Sequence, residues 1–259
     1  MSETSIHTPN PEMPEPLEAS RLTGDATAAD IESIRTRTSV FVYEWPVRLW
    51  HWVNALAITV LIVTGYVIGK PLPSMQIAEA THQFVFGYIR FAHFAAGMIV
   101  TVGFFGRIYW AFVGNSHARQ LFYIPVWNKR WWKEVFFELK WYAFLEREPK
   151  KYVGHNPLAQ TAMFFFMTLG LTFMILTGWA LYSEGAGQGS FADGVAGWVL
   201  TLFGNSMIVH SVHRLGMWFI LVFMIIHIYA AIREDILSRQ SMVSTMISGT
   251  RTFKDDRPE

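Results

Sequence analysis

Nine histidines and no cysteine bound the metal chemistry open to this chain of 259 residues. Without thiols there is no disulfide, no protein-held iron–sulfur cluster, no thiol nucleophile and no covalent c-type haem attachment. Any bound metal must take nitrogen or oxygen ligands. His51, His93, His213 and His227 all lie in or beside long apolar runs. His213 and His227 are 14 residues apart. That is about 3.9 helical turns, so on one helix both imidazoles leave nearly the same side, roughly 21 Å apart. His51 and His93 each follow an arginine, Arg48 and Arg90, by three residues, a spacing that shares one helical face. Paired neutral imidazoles beside guanidiniums suit a flat, apolar metal macrocycle with acidic arms. Haem b is the best candidate, its iron taking two axial nitrogens.

The elements that must position these residues are membrane spans. The chain is 52% hydrophobic and 16% charged, against roughly 25% charged in a soluble domain. A spanning helix needs about 20 mostly apolar residues, and four stretches qualify: Leu49–Ile68, Ile89–Val113, Thr161–Tyr182 and Met207–Ile232. The expected fold is all-α, an integral membrane four-helix bundle, with an interfacial helix over Trp127–Leu145 between the second and third spans. Residues 1–47, polar and proline-bearing, read as a disordered head, 48–232 as the four-span domain and 233–259 as a tail. The head lacks the pattern of a cleaved signal peptide. Lys and Arg crowd Gly114–Gln160 and the tail after Ile232, whereas Gly69–Tyr88 holds only Lys70 and Ser183–Ser206 holds neither. Both termini are therefore expected in the cytoplasm. Before the third span, Asn156 reads as an N-cap and Pro157 as the first helical residue.

This orientation sets the depths. His51 begins the first span near the inner face and His93 begins the second near the outer face. On the fourth span His213 lies outer and His227 inner. Two bis-histidine sites follow, an outer one of His93 and His213 and an inner one of His51 and His227. Arg48 and Arg90 are the expected propionate partners, with Arg214 a weaker one because it points about 100° from His213. Gly97 and Gly216 would let a macrocycle approach the backbone. His210, one turn before His213, is an alternative ligand or a polar contact. His7, His82, His117 and His155 read as ordinary. A single intramembrane histidine could equally be hydrogen-bonded to a neighbouring helix, and a histidine proton relay stays open. A tetrahedral zinc site is less well supported, since no depth gathers four ligands. A non-haem anchor or transporter is the reading from another class.

Two longer motifs carry a family likeness. Arg48-Leu49-Trp50-His51-Trp52, continuing to Leu61-Ile62-Val63-Thr64-Gly65, and His210-Ser211-Val212-His213-Arg214-Leu215-Gly216-Met217-Trp218, continuing to Phe223 and His227, resemble the signatures of the b-type cytochrome subunit of membrane-bound nickel–iron uptake hydrogenases. The likeness spans Val42 to Thr252. It implies a haem-bearing electron-transfer subunit, not an enzyme by itself, docked to a periplasmic hydrogenase of a small iron–sulfur and a large nickel–iron subunit. It also implies electron flow from the outer to the inner haem and on to membrane quinone. Tyr43, Glu44 and the Trp131–Tyr142 stretch are eligible by depth for the quinone, and equally suited to interfacial anchoring. The cytochrome subunit of a formate dehydrogenase or related reductase would use the same ligands. The partners expected are therefore these subunits, quinone and the lipid bilayer, with no nucleic acid.

Overall fold

A computed structural model of the chain describes residues 38–73 and 84–253. Proline at position 46 is tolerated in a first helical turn, where its missing N–H has no intrahelical partner. From there an unbroken apolar run forms α1, Trp45–Gly69. α2 covers Phe84–Val113. Asn115 then caps a 3-10 turn, Ser116–Leu121, by accepting from the Ala118 amide, and Asn128 caps α3, Lys129–Tyr142. The third span begins as expected: Asn156 accepts from the Ala159 amide at 2.7 Å and Pro157 opens the helix. It runs as α4, Pro157–Met163, a π segment, Phe164–Leu169, and α5, Gly170–Ala186. α6, Phe191–Phe203, α7, Ser206–Leu237, and α8, Met242–Ser248, complete the helices. Two short strands, β1, Thr38–Phe41, and β2, Thr250–Phe253, pair with each other.

α1, α2, Pro157–Ala186 and α7 are long and apolar enough to cross a membrane, with 25, 30, 30 and 32 residues. At about 1.5 Å per residue each exceeds the roughly 30 Å hydrocarbon layer, so helix ends extend into the interfacial zones. The chain is a multi-pass membrane protein. Ala57 and Ile58 of α1, Ala96, Val100 and Phe104 of α2, Leu171 of α5 and Ile220 of α7 form one buried cluster. Val100 follows His93, and Ile220 follows His213, by seven residues, about two turns on the same face. The cluster is thus an apolar layer between the two histidine levels.

α3 is not simply a surface helix. Trp131, Val135, Glu138 and Trp141 form its buried stripe, while Trp132, Phe136 and Leu139 on its other sides stay exposed. Asn156 Nδ2 donates to Glu138 Oε2 at 3.1 Å, and Trp141 Nε1 donates to Glu234 Oε2 at 3.1 Å. The helix is bound to the third and fourth spans on one side and presents apolar surface on the other.

Three expectations change. The body of the fold begins at Val40 and ends at Arg251. The head boundary at 47 therefore moves: residues 38–41 form a strand and the helix starts at Trp45, because alternating Val40 and Val42 precede a tolerated proline. Residues 1–37, with His7, lie outside the described residues, as do His82 and the tail beyond residue 253. Secondly, the spans are longer than their apolar runs. Thirdly, the glycine-bearing connection before α7 contains α6, which the glycines conceal. Its N-cap Ser190 accepts from the Asp193 amide at 3.2 Å, while Asp193 accepts from the Gly189 amide at 2.9 Å.

Candidate functional site

The four histidines meet in two pairs. His93 of α2 faces His213 of α7 with ring centroids 6.5 Å apart and an interplanar angle of 73°. His51 of α1 faces His227 of α7 at 6.2 Å and 54°. A metal–imidazole bond of about 2.0–2.1 Å on each side of one ion places two ring centres about 6 Å apart. Both pairs therefore have the separation of two axial ligands on one metal. Among the described residues no three His, Asp or Glu side chains gather at one point. Two nitrogens leave the remaining positions of an ion to a ligand that brings its own donors, which a tetrapyrrole does.

At the His93–His213 level, hydroxyls set the tautomers. Thr64 Oγ1 donates to the Val60 carbonyl at 2.6 Å and lies 2.9 Å from His93 Nδ1. Thr177 Oγ1 donates to the Phe173 carbonyl at 2.8 Å and lies 2.8 Å from His213 Nδ1. A hydroxyl has one proton. With that proton given to the helix carbonyl, each oxygen accepts from the imidazole. Nδ1 then carries the hydrogen and Nε2 presents its lone pair. Ligating histidines are commonly oriented in this way. The neighbouring glycines make room: a methyl at Gly65 would sit 3.1 Å from His93 Cε1, and one at Gly178 would sit 3.3 Å from His213 Cε1.

The His51–His227 level is built differently. His51 Nδ1 has no hydrogen-bond partner among the described residues. Phe223 stacks on His227 with centroids 5.6 Å apart, and Phe166 of the π segment stacks on Phe223 at 4.8 Å. The π segment thus supplies the outer ring of a stack that holds His227, consistent with the concentration of such segments at functional sites.

Below this pair is a polar cluster. The Tyr43 hydroxyl lies 3.2 Å from His155 Nδ1, which lies 3.2 Å from Gln120 Oε1. Burial drives the His155 imidazole down to about 3, with Arg251 adding to the shift, so it is neutral. Burial pushes the Tyr43 phenol up to about 12, against the pull of Arg251 and Arg107. His155 is therefore not an ordinary loop residue but the pivot of this cluster.

The remaining expected residues are placed as follows. Arg48 donates to the Ile247 carbonyl and leaves Nε buried without a partner. Arg90 is exposed, its guanidinium carbon 6.0 Å from the Phe94 ring. Arg214 packs against Gly69 at the end of α1. Gly97 has only Leu61 near, 4.0 Å from an added methyl. A methyl at Gly216 would meet Met174 Sδ at 2.4 Å, so this glycine also gives room to the third span. His210 Nδ1 lies 3.0 Å from the Ser206 carbonyl of its own helix, while His213 is the residue that meets His93. Glu44 accepts from Trp110 Nε1 and the Asn115 amide, both at 2.9 Å. Glu44 and the 3% exposed Tyr43 thus tie the start of α1 to its neighbours.

Sequence reasoning missed Thr64, Thr177 and Gly178. One signal was available: Thr64-Gly65 and Thr177-Gly178 repeat a Thr-Gly pair followed by an aromatic residue, Tyr66 or Trp179. The repeat is too short to stand out until the histidines are seen beside it.

The family model described as prokaryotic cytochrome b561 matches residues 42–249. A protein of Rhodobacter capsulatus named probable Ni/Fe-hydrogenase B-type cytochrome subunit is 70% identical over 259 residues, covering 100% of this chain and 99% of its own. A protein of the same name from Azotobacter chroococcum is 60% identical over 94% of this chain and 99% of its own length. The probable Ni/Fe-hydrogenase 1 B-type cytochrome subunit of Escherichia coli K12 is 52% identical over 83% of this chain and 92% of its own. With four apolar spans and two facing imidazole pairs inside the matched region, the chain belongs to the prokaryotic cytochrome b561 family of membrane b-type cytochromes.

Proposed function

We propose that the chain is the membrane cytochrome subunit of a nickel–iron hydrogenase complex, carrying electrons from hydrogen oxidation to the quinone pool. The observation that carries this reading is the pair of facing imidazole sets at 6.5 and 6.2 Å. His93 and His213 would hold an outer haem b, and His51 and His227 an inner one. Bound there, haem b supplies reversible one-electron chemistry at iron. Thr64 and Thr177 keep the outer imidazoles in the ligating tautomer, and the Val100–Ile220 layer keeps water from the region between the two levels. The relatives' names point to a Ni/Fe-hydrogenase as the partner; in this reading its large nickel–iron and small iron–sulfur subunits perform the hydrogen chemistry and this chain anchors them. The Lys and Arg of residues 114–160 and of the tail favour a cytoplasmic location for that end and for both termini. The histidine pair nearer the hydrogenase is then the periplasmic one, in a bacterial inner membrane.

The test is made on the assembled complex. Replacing His93 or His213 with alanine should abolish hydrogen-dependent quinone reduction while hydrogen oxidation with an artificial dye continues. Loss of dye activity with the complex still assembled would contradict the assignment. Co-purification with a molybdenum subunit would transfer the same chemistry to a formate dehydrogenase.

A further inference from the structure

Arg107 stands on α2 14 residues after His93, the same interval that separates His213 from His227. By the same turn count, its side chain leaves the His93 face of α2, roughly 21 Å along the axis, at the His51–His227 level. It is 5% exposed. Its Nε and Nη1 have no hydrogen-bond partner among the described residues. Its guanidinium carbon lies 5.6 Å from the ring of Trp50, which adjoins His51, and 5.5 Å from Phe122.

A second buried guanidinium lies in the same cluster. Arg251 is 2% exposed. It donates Nη1 to the Tyr152 and Gly154 carbonyls at 2.7 and 2.6 Å, and leaves Nε without a partner. The Tyr43 phenol lies in the fields of both Arg251 and Arg107. Among the described residues neither arginine forms an ion pair. Glu234 acts on Arg251 from beyond ion-pair distance, and Arg233 lies 3.9 Å from that carboxylate. Two buried positive charges with orphaned donors are strongly unfavourable unless an anion meets them. Planar guanidinium forks match carboxylates.

We propose that Arg107 and Arg251 form a carboxylate-binding site for the propionates of the inner haem. The inference rests on the dihaem reading and extends it to residues beyond the R-x-x-H pairs. Two carboxylates would neutralise the two cations, and Trp50 Nε1, buried and unpartnered, offers a further donor. The cations would raise the potential of that haem by favouring its reduced, less positive iron, and the nearby Tyr43–His155 pair would be ordered by the same charges.

Haem counting and redox titration of the detergent-purified full chain test this. Arg107→Gln and Arg251→Gln should each lower the potential of the inner component or reduce the count from two haems to one, with Arg107→Lys restoring most of the effect. The outer component, identified by its loss in His93→Ala, should stay in place. Two haems with unchanged potentials in both glutamine variants would overturn the proposal. A second measurement needs no variant at these arginines: the apo chain should take haem b at the inner site at least tenfold more tightly than its dimethyl ester, and equal affinity would overturn it. A wild-type chain that takes up no haem would instead refute the dihaem reading, so the two failures are distinguishable.

Discussion

Replacing Thr64 or Thr177 with valine removes one hydroxyl of nearly the same volume, and its effect should be read in the potential of the outer haem. Each hydroxyl accepts the Nδ1 proton of a histidine proposed as an axial ligand, at 2.9 Å from His93 and 2.8 Å from His213. Accepting that proton makes the imidazole a better electron donor, which favours ferric iron. A neutral hydrogen bond contributes about 1 kcal/mol net. If the whole of that difference fell on the oxidised state, the shift would be about 40 mV upward for a one-electron couple. About 40 mV per threonine is therefore the ceiling. The assay is a spectroelectrochemical titration of the purified complex, with the outer component assigned through His93→Ala. Serine at either position should restore the potential. A shift downward, or no shift in either valine variant with both haems present, would be incompatible with these hydroxyls accepting the Nδ1 protons of haem ligands.

Other consequences follow from the same contacts. Burial raises the Glu138 carboxyl from 4.5 to about 7. Between those values the folded chain holds a proton that the unfolded chain has lost, so this group's contribution to stability falls as pH rises from 4.5 to about 7 and stays lost above. Glu138→Gln should therefore be more heat-resistant than the parent at pH 8, with the difference narrowing toward pH 5; thermal melts at the two values would check it. Asn156→Ala removes the cap of the third span and the donor to Glu138, and should destabilise by about 1–2 kcal/mol, with Asn156→Ser milder in denaturant titration. Gly65→Ala puts a methyl 3.1 Å from His93 Cε1, and should displace that ring and lower outer-haem occupancy; full occupancy with an unchanged spectrum would count against the packing described.

The spans and the four facing histidines were legible because both rest on regular physics. Twenty apolar residues cross a bilayer, and 14 residues on a helix return to one face. What stayed hidden depends on contacts between spans. Thr64 and Thr177 look like ordinary helix hydroxyls bonded to their own backbone until His93 and His213 are placed beside them. The approach of Met174 to Gly216 depends on helix rotation, which apolar periodicity leaves loose when lipid and core are equally greasy. Arg107 stood near the end of an apolar run, where snorkelling to the surface is the simple expectation. Its burial involves packing against Trp50 of α1 and Phe122 beyond the end of α2, contacts that the apolar pattern of α2 alone does not reveal. α6 was masked by its own glycines at 194 and 197.

On the proposed reading, His51, His93, His213 and His227 hold two haems at two depths. A pyridine haemochrome assay on the purified chain, with protein quantified by amino-acid analysis, tests it most directly. Two haem b per chain are expected, one after His51→Ala or His93→Ala, and none after the two are combined. A parent chain with well under two haems, or a count that His51→Ala and His93→Ala leave unchanged, would contradict it.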